Sequence, residues 1–404
     1  MISIEGKIVT SRGEFHQRVE IDEASGLIVR VGDITGSADY VFKDELIFPG
    51  FIDLHVHARE DTSHTHDYKE DFVTAGAAAV NGGVVAFADM PNNPIPPVDD
   101  ASYEAKSKLA EKSSVPILLY AAVGAGTKPL SKKVPYKAFM GQSIGNMFFT
   151  SREGLENTLV NYQGQSISFH CEDPKILEQS KGAPTHEDRR PKEAEISAVE
   201  LALVLTEKYN LTSKICHCST MEGIKKIKEA KARGVKVAVE TTPHHLYFSD
   251  TEKMLQVNPP IRQSEENRLS LLNALKNGEI DYLATDHAPH TIEEKEKGIS
   301  GLTHLDTYGP FVTWLMRKHN FTPADIARIS SSNPGNFFNQ FTTEKYGEIR
   351  EGYVGSMTVI DMNNPITITK EILNTKNHWS PFLGMTFPGS VVMTIIKGKI
   401  YAKQ

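Results

Sequence analysis

The 404-residue sequence predicts an α/β fold: a (β/α)8 barrel of the TIM type, with a small β-sandwich formed by the N- and C-terminal segments. Two observations support this prediction. Eight short apolar runs, each ended by turn residues, alternate with longer stretches that carry apolar residues at helical spacing. The two ends of the chain contain short alternating strands and turn residues instead.

The eight apolar runs are the predicted barrel strands, and they follow one another with helical stretches between them. They cover residues 46–57, 84–90, 117–123, 136–140, 166–171, 214–218, 235–241 and 282–285. The clearest helical stretches are residues 68–80, 193–209, 221–233 and 265–276. In such a barrel the functional side chains gather at the carboxyl ends of the strands, where a site is therefore expected.

The predicted domain boundaries follow from this pattern. Residues 1–47 and 346–404 are expected to pair as the β-sandwich, and residues 48–345 to form the barrel. The chain has 44 Lys and Arg against 51 Asp and Glu, and its basic residues are scattered, so we expect neither a nucleic-acid nor a membrane partner. The first residues contain no basic stretch leading into a long apolar run, which favours a cytoplasmic location.

Three cysteines, Cys171, Cys216 and Cys218, each lie beside a histidine. Their odd number argues against a disulfide framework. A Cys-x-Cys pair beside a histidine also occurs in zinc sites, but we expect the histidines to be the ligands and the cysteines their neighbours. Strand alternation would turn Cys216 and Cys218 away from His217.

The strongest local signal is the segment 53–59 at the end of the first predicted barrel strand. Strand alternation places His55, His57 and Arg59 on one face. Two imidazoles so spaced can chelate one divalent ion, and the guanidinium beside them can bind a carboxylate. A His-x-His pair alone is a weak indication, because many such pairs are structural.

Further candidate ligands lie at the ends of other predicted strands: Lys137, His170, His217 and Asp286. A buried lysine is costly to keep charged, and its neutral amine can react with carbon dioxide to give a carbamate that bridges two metals. The alternative is that Lys137 extends to solvent or pairs with an acid. Four histidines, one lysine and one aspartate at strand ends fit a binuclear zinc site.

Eight motifs, which span most of the chain, resemble those of the amidohydrolase superfamily, and within it those of the dihydroorotases. They are HVHAR at 55–59, YKEDF at 68–72, DMPNN at 89–93, KAFMG at 137–141, HCED at 170–173, TPHHL at 242–246, NPPIR at 258–262 and TDHAPH at 285–290. The loop 61–67, with His64 and His66, departs from the family's Pro-Gly-rich continuation. We expect those two histidines to be solvated.

The resemblance implies a ligand set. His55, His57, carbamylated Lys137 and Asp286 would hold one zinc ion, and Lys137, His170 and His217 would hold the second, with a bridging hydroxide. Asp286 would also be the catalytic proton carrier. Arg59, Asn92 and His290 would bind the substrate carboxylate, and Asn258 the substrate ring.

The reaction that the resemblance implies is the reversible cyclisation of N-carbamoyl-L-aspartate to L-dihydroorotate, a step of pyrimidine synthesis. A homodimer and an association with aspartate carbamoyltransferase are further expectations. Hydantoinases, dihydropyrimidinases and allantoinases share the metal site, but Arg59 favours a substrate with a free carboxylate. A scaffold without activity is the alternative from another class, and the presence of all six candidate ligands argues against it.

Several other residues are left open. For Arg262 we expect a surface ion pair and a contact with the ligand equally. His244 and His245 are expected to shape the turn after the seventh strand. The segment 291–302 is either a charged, solvated face or a loop that closes over substrate.

Overall fold

The computed structural model describes residues 1–142, 147–250 and 252–402. The chain begins with four strands: β1 (Ile2–Thr10), β2 (Gly13–Asp22), β3 (Leu27–Gly32) and β4 (Tyr40–Pro49). β1 pairs antiparallel with β2 and parallel with β4, and β2 pairs antiparallel with β3. The N-terminal segment is therefore a sheet, as predicted.

A ring of parallel strands follows, with one of its eight strands in two pieces. The strands are β5 (Phe51–Val56), β6 (Val84–Asp89), β7 (Ile117–Leu119), β8 (Ala121–Val123), β9 (Tyr136–Phe139), β10 (Ser166–His170), β11 (Thr212–Ile215), β12 (Val237–Thr241) and β13 (Tyr282–Leu283). β7 and β8 form one barrel strand interrupted at Tyr120, whose N–H donates to the Asp89 carbonyl at 3.0 Å. This ring confirms the predicted (β/α)8 barrel.

The barrel closes where its first and last strands meet. Val56, the last residue of β5, forms a parallel bridge with His287, which follows β13. The N–H of His57 donates to the carbonyl of His287 at 2.7 Å. We call this contact between 55–57 and 285–287 the barrel seam.

The described residues contain thirteen α-helices, most of them on the outside of the barrel. They are α1 (Phe72–Gly82), α2 (Asp100–Ala110), α3 (Arg152–Leu159), α4 (Pro174–Ser180), α5 (His186–Arg189), α6 (Lys192–Lys208), α7 (Met221–Ala232), α8 (Pro243–Tyr247), α9 (Glu265–Lys276), α10 (Ile292–Glu296), α11 (Tyr308–His319), α12 (Pro323–Ala327) and α13 (Asn333–Phe338). The four predicted helical stretches correspond to α1, α6, α7 and α9. α1 begins four residues later than predicted because the Asp71 side chain caps it, accepting from Val73 N and Thr74 N. Among the described residues, none of the helices combines the length and apolarity needed to span a membrane.

Three of the five C-terminal strands return to the N-terminal sheet: β14 (Met357–Asp361), β17 (Ser390–Ile396) and β18 (Lys399–Ala402). The other two, β15 (Ile366–Thr367) and β16 (Thr386–Phe387), pair with each other as a separate two-stranded sheet. β14 pairs with β4, which gives one seven-stranded sheet in the order β18-β17-β14-β4-β1-β2-β3. The two chain ends thus form a β domain as expected, with its seven strands in one continuous sheet and a hydrophobic cluster of its own. β4 crosses the predicted division between residues 47 and 48.

Gly50 joins the β domain to the barrel, because it separates β4 from β5. The prediction of one strand over 46–57 missed this division. The Gly50 N–H donates to the Ser356 carbonyl at 3.0 Å. A Cβ at Gly50 would lie 2.4 Å from both methyl carbons of Val85 in β6, so the close approach requires glycine.

We predict that Gly50→Ala lowers the free energy of unfolding by about 1–3 kcal/mol, the usual cost of inserting a methyl group into a packed core. Denaturant titration measures it. Gly182→Ala is the control, since a Cβ at Gly182 meets nothing within 4 Å. In a Val85→Ala background the same substitution at Gly50 should cost less; an equal cost in both backgrounds would contradict this explanation.

Candidate active site

A cleft opens at the carboxyl ends of the barrel strands, and most of the predicted site residues line it. Eight of the ten are in its wall, while Lys137 and His290 lie just behind it. The complete lining is His55, His57, Arg59, Asn92, Phe139, His170, His217, Asn258, Asp286, Ala288, Ser300 and Gly301. The structure therefore brings together side chains from seven of the eight barrel strands and the loops that follow them.

Three donor atoms converge at the barrel seam. The Nε2 atoms of His55 and His57 lie 3.2 and 3.1 Å from Asp286 Oδ1. Ligand atoms around a tetrahedral zinc ion with bonds of 2.0–2.1 Å are about 3.3 Å apart. The spacing of the three atoms therefore fits one shared metal ion.

Two more donor atoms converge on the other side of the cleft. His170 Nδ1 and His217 Nε2 are 2.9 Å apart. The ring of His217 also lies 5.2 Å from the ring of His55, measured between centroids, so the two donor groups are neighbours. The cleft thus holds a group of three converging donor atoms beside a second group of two.

Hydrogen bonds on the far side of three histidines fix which nitrogen faces the cleft. His55 Nδ1 donates to Glu240, His57 Nδ1 to Asn92 Oδ1 at 2.6 Å, and His170 Nε2 to Glu172 Oε2 at 2.7 Å. The nitrogen that remains on each ring carries a lone pair and points to the donor groups described above. Such an outer hydrogen bond is the usual arrangement around metal-binding histidines.

Burial keeps these imidazoles neutral. It lowers the pKa of His55, His57 and His217 well below the usual value, and nearby cations, among them Lys137, lower it further. Burial also raises the pKa of Asp286 to about 7. A set of neutral imidazoles around a buried carboxylate matches the ligands that zinc prefers.

Lys137 is fully buried in β9, so it does not extend to solvent as the alternative interpretation required. Its Nζ lies 2.7 Å from Cys216 Sγ, a thiol and not a carboxylate. Its positive charge acts on the pKa of the other five predicted ligands. Lys137 therefore lies in the middle of the predicted ligand set.

Strand alternation misplaced Cys216, and it does not explain the position of Arg59, because both strands end before these residues. β11 ends at Ile215, and His217 has a positive φ of 34°, so both Cys216 and His217 face the site. β5 ends at Val56, and Arg59 also has a positive φ, of 65°. Arg59 reaches the cleft through this turn and not as a third residue on a strand face.

Two buried carboxylates that the sequence analysis did not single out support the histidines. Glu240 contacts His55 on one side and the ammonium group of Lys214 on the other. Glu172 contacts His170 on one side and the guanidinium of Arg190 on the other. Burial disfavours a charged Glu172, yet Arg190 and His170 lower the pKa of Glu172 to about 2. The signal in the sequence was a charged residue inside an apolar strand, as in Val237–Thr241.

Arg59 and His290 meet at one end of the cleft. Arg59 Nη2 lies 3.2 Å from His290 Nε2, and His290 Nδ1 lies 3.0 Å from Glu294 Oε2. Glu294 also pairs with the ammonium group of Lys69 at 2.9 Å. Because the charges of Lys69 and Glu294 offset each other, the net charge at this end of the cleft is the positive charge of Arg59. Lys69 and Glu294 were not predicted as site residues, although Lys69 lies in a quoted motif.

Some of the remaining candidate residues line the cleft, and others hold the loops around it. Asn258 lies in the cleft wall, and Ser300 Oγ donates to its Oδ1 at 3.1 Å. Ser300 and Gly301 show that part of the segment 291–302 borders the cleft, while α10 within it forms the pair with Lys69. Arg262 is buried and donates to Ser219 Oγ and the Arg190 carbonyl, so it supports a loop instead of a surface ion pair.

The histidines that were set aside lie outside the cleft wall. His64 is exposed, and its Nδ1 lies 2.7 Å from Asp67 Oδ2. His244 and His245 are buried in α8, where His245 Nε2 contacts the Pro259 carbonyl at 3.1 Å and His244 Nδ1 contacts His304 Nε2 at 3.1 Å. These contacts agree with the expected role of the pair in shaping the turn after β12.

Comparisons with known proteins agree with the fold. Residues 46–401 match the amidohydrolase family model. A protein of Pyrococcus furiosus named dihydroorotase is 31% identical over all of this chain and 93% of its own length. One of Thermococcus kodakarensis is 34% identical over 93% of this chain and 88% of its own length, and one of Bacillus pumilus is 30% identical over 98% and 96%; both are also named dihydroorotase.

Solved structures show the same fold at lower sequence identity. The L-hydantoinase (dihydropyrimidinase) of Arthrobacter aurescens superposes with a TM-score of 0.90 at 22% identity, over all of this chain and 96% of its own. A D-hydantoinase superposes with a TM-score of 0.86, also at 22% identity, over all of this chain and 95% of its own. Taken with the family match and the curated relatives, these findings show that the chain belongs to the amidohydrolase family and, within it, to the dihydroorotases.

Proposed function

We propose that this protein is a dihydroorotase, which catalyses the reversible cyclisation of N-carbamoyl-L-aspartate to L-dihydroorotate. The observation that carries the proposal is the position of Arg59, a buried guanidinium at the end of a cleft where two groups of metal-donor atoms converge. Burial lowers the pKa of Arg59 to about 10, so it remains charged at neutral pH. A substrate that carries a free carboxylate explains a cation in this position.

The proposed metal centre contains two zinc ions. His55, His57 and Asp286 would hold one, His170 and His217 would hold the other, and Lys137, as its carbamate, would contribute a ligand to the centre. When bound, the ions would activate a water molecule as nucleophile and polarise the amide carbonyl. The converging donor atoms and the neutral imidazoles support this proposal.

The protein side chains would orient the substrate and move the proton. Asp286 accepts a proton from the attacking water at its carboxylate and returns it to the ring nitrogen that leaves. Arg59, Asn92 and His290 bind the substrate carboxylate, and Asn258 contacts the ring. His290 Nδ1 lies 3.0 Å from Glu294 Oε2 and its Nε2 lies 3.2 Å from Arg59 Nη2, which holds the imidazole at the same end of the cleft as Arg59.

Three expectations from the sequence extend the proposal beyond the chain itself. They are a homodimer, an association with aspartate carbamoyltransferase and a cytoplasmic location. They remain predictions of the family resemblance and of the charge pattern.

We predict that the zinc-loaded protein hydrolyses L-dihydroorotate and catalyses the reverse cyclisation at mildly acidic pH. Ultraviolet absorbance of the cyclic amide follows both directions. Hydantoin and dihydrouracil, which are cyclic amides without the carboxylate, are the comparison substrates and should turn over at least 100-fold more slowly. Faster turnover of either would favour the hydantoinase alternative, and no turnover of any substrate would favour the scaffold.

Lys137→Ala should remove most of the bound metal and abolish turnover, because the proposed carbamate ligand is lost. Elemental analysis should give about two zinc ions per chain for the unchanged protein and less than one for the variant. Lys181→Ala, at an exposed lysine, is the control and should keep both. Full zinc content and activity in the Lys137 variant would refute its role as a ligand.

Arg59→Gln should raise the KM for dihydroorotate by about 10- to 100-fold, the effect of losing a charge-assisted hydrogen bond of about 1.5–3 kcal/mol. Zinc content should stay unchanged, since Arg59 is not a proposed ligand. Arg12→Gln, at an exposed arginine, controls for loss of charge. An unchanged KM with a lower kcat would place the substrate carboxylate elsewhere.

A further inference from the structure

A segment of the C-terminal part of the chain leaves its sheet and contacts the mouth of the barrel. We call residues 374–379, which lie between β15 and β16, the C-terminal strap. Asn377 Nδ2 donates to the Lys69 carbonyl at 2.8 Å, and the ammonium group of Lys376 bonds the Asp71 carboxylate and the Asp67 carbonyl. The strap is thereby fastened to the loop that follows the first barrel strand.

The strap also supplies two donors to a buried carboxylate. Glu70 is fully buried, and it accepts hydrogen bonds from the Thr375 hydroxyl and, at 3.3 Å, from the Lys376 N–H. The Thr74 hydroxyl bonds the same carboxylate. Glu70 is therefore held in place by the strap from one side and by α1 from the other.

Glu70 faces His287, and hydrogen bonds determine the proton position on that ring. His287 Nδ1 accepts from the N–H groups of His304 at 3.1 Å and of Leu305 at 3.3 Å. The ring proton is therefore on Nε2, which lies 3.4 Å from Glu70 Oε2 and donates to it. The orientation of His287 thus depends on both ends of the ring being engaged.

His287 belongs to the barrel seam. Its carbonyl accepts from the His57 N–H at 2.7 Å, and its backbone is adjacent to Asp286, which has a positive φ of 49°. A shift of His287 therefore displaces His57 and Asp286 relative to each other. Those two residues supply two of the three donor atoms that converge at the seam.

We propose that the C-terminal strap is a positioning element of the active site, and that Thr375 acts through Glu70 and His287 to hold the barrel seam. The inference rests on the proposed function only where activity is the readout. In this account the C-terminal part of the chain does more than complete the β domain: its strap fixes the geometry between His57 and Asp286. Thr375, Glu70 and His287 are positioning residues, since none of them lines the cleft.

The test compares Thr375→Val with Thr375→Ser in the full-length, zinc-loaded protein. Valine keeps the shape of threonine but removes the hydroxyl donor, whereas serine keeps the donor. For Thr375→Val we expect hydrogen–deuterium exchange of peptides covering 51–59 and 284–290 to be at least threefold faster, and kcat to fall about 10-fold with KM within twofold. Thr375→Ser should restore both to within twofold of the unchanged protein.

Thr394→Val is the matched control, because Thr394 is also buried and its hydroxyl bonds the Val80 carbonyl at 2.8 Å, away from the strap. Unchanged exchange at the seam in Thr375→Val, or equal losses in Thr394→Val, would overturn the proposal. If Thr375→Val does not fold, Asn377→Ser removes a strap contact at a less buried position and should shift exchange in the same direction. Exchange is measured without substrate, so an inactive unchanged protein would refute the proposed function and leave this test intact.

Discussion

The site depends on one contact, the closure of the barrel between its first and last strands. Parallel strands require crossover connections, so β5 and β13 become neighbours only after the whole ring has formed. His55 and His57 come from one side of that closure and Asp286 from the other. The three donor atoms therefore converge only in the complete barrel, which couples metal binding to the fold.

Closing the barrel buries many charges, and the structure compensates most of them in pairs. Lys214 pairs with Glu240, and Arg190 pairs with Glu172. Each of these carboxylates also accepts from one proposed metal ligand, so the pair that offsets the cost of burial also fixes an imidazole. Lys137 and Arg59 differ from them in having a thiol and a histidine as neighbours. These are the two cations that the proposed chemistry changes: carbamylation would convert the Lys137 side chain itself into an anion, and a substrate carboxylate would pair with Arg59.

The sequence predicted the barrel well, and also that the candidate ligands converge at one end of it, because both depend on local pattern. Alternating apolar runs and helical stretches indicate a ring of strands, and polar residues at the ends of those runs must then share one mouth. Strand ends were predicted less well. Arg59 and His217 adopt positive φ values, which no alternation rule anticipates for residues with a side chain. Gly50 divides a single apolar run between two sheets. Glycine is needed there because Val85 of the neighbouring strand leaves no room for a side chain, a contact that the local sequence does not reveal.

The supporting residues were harder to predict for a physical reason. Glu240 and Lys214 are distant in sequence from His55, and their roles arise only from packing across the barrel. The C-terminal strap was harder still to predict, since Thr375 is 305 residues away from Glu70 in the sequence. A sequence pattern reports local conformation, whereas a second layer of contacts depends on which loops the completed fold brings together.

The fold by itself does not select the substrate. A protein named L-hydantoinase shares this backbone with a TM-score of 0.90 at 22% identity, so the backbone alone does not identify a substrate. The information on substrate charge lies in a few side chains at one end of the cleft. Because Glu294 offsets Lys69 and burial lowers the pKa of His290, the guanidinium of Arg59 is the net charge that a ligand meets there. A neutral ring would leave that buried cation without an anionic partner, and this electrostatic cost, more than the shape of the barrel, favours a substrate that carries a carboxylate.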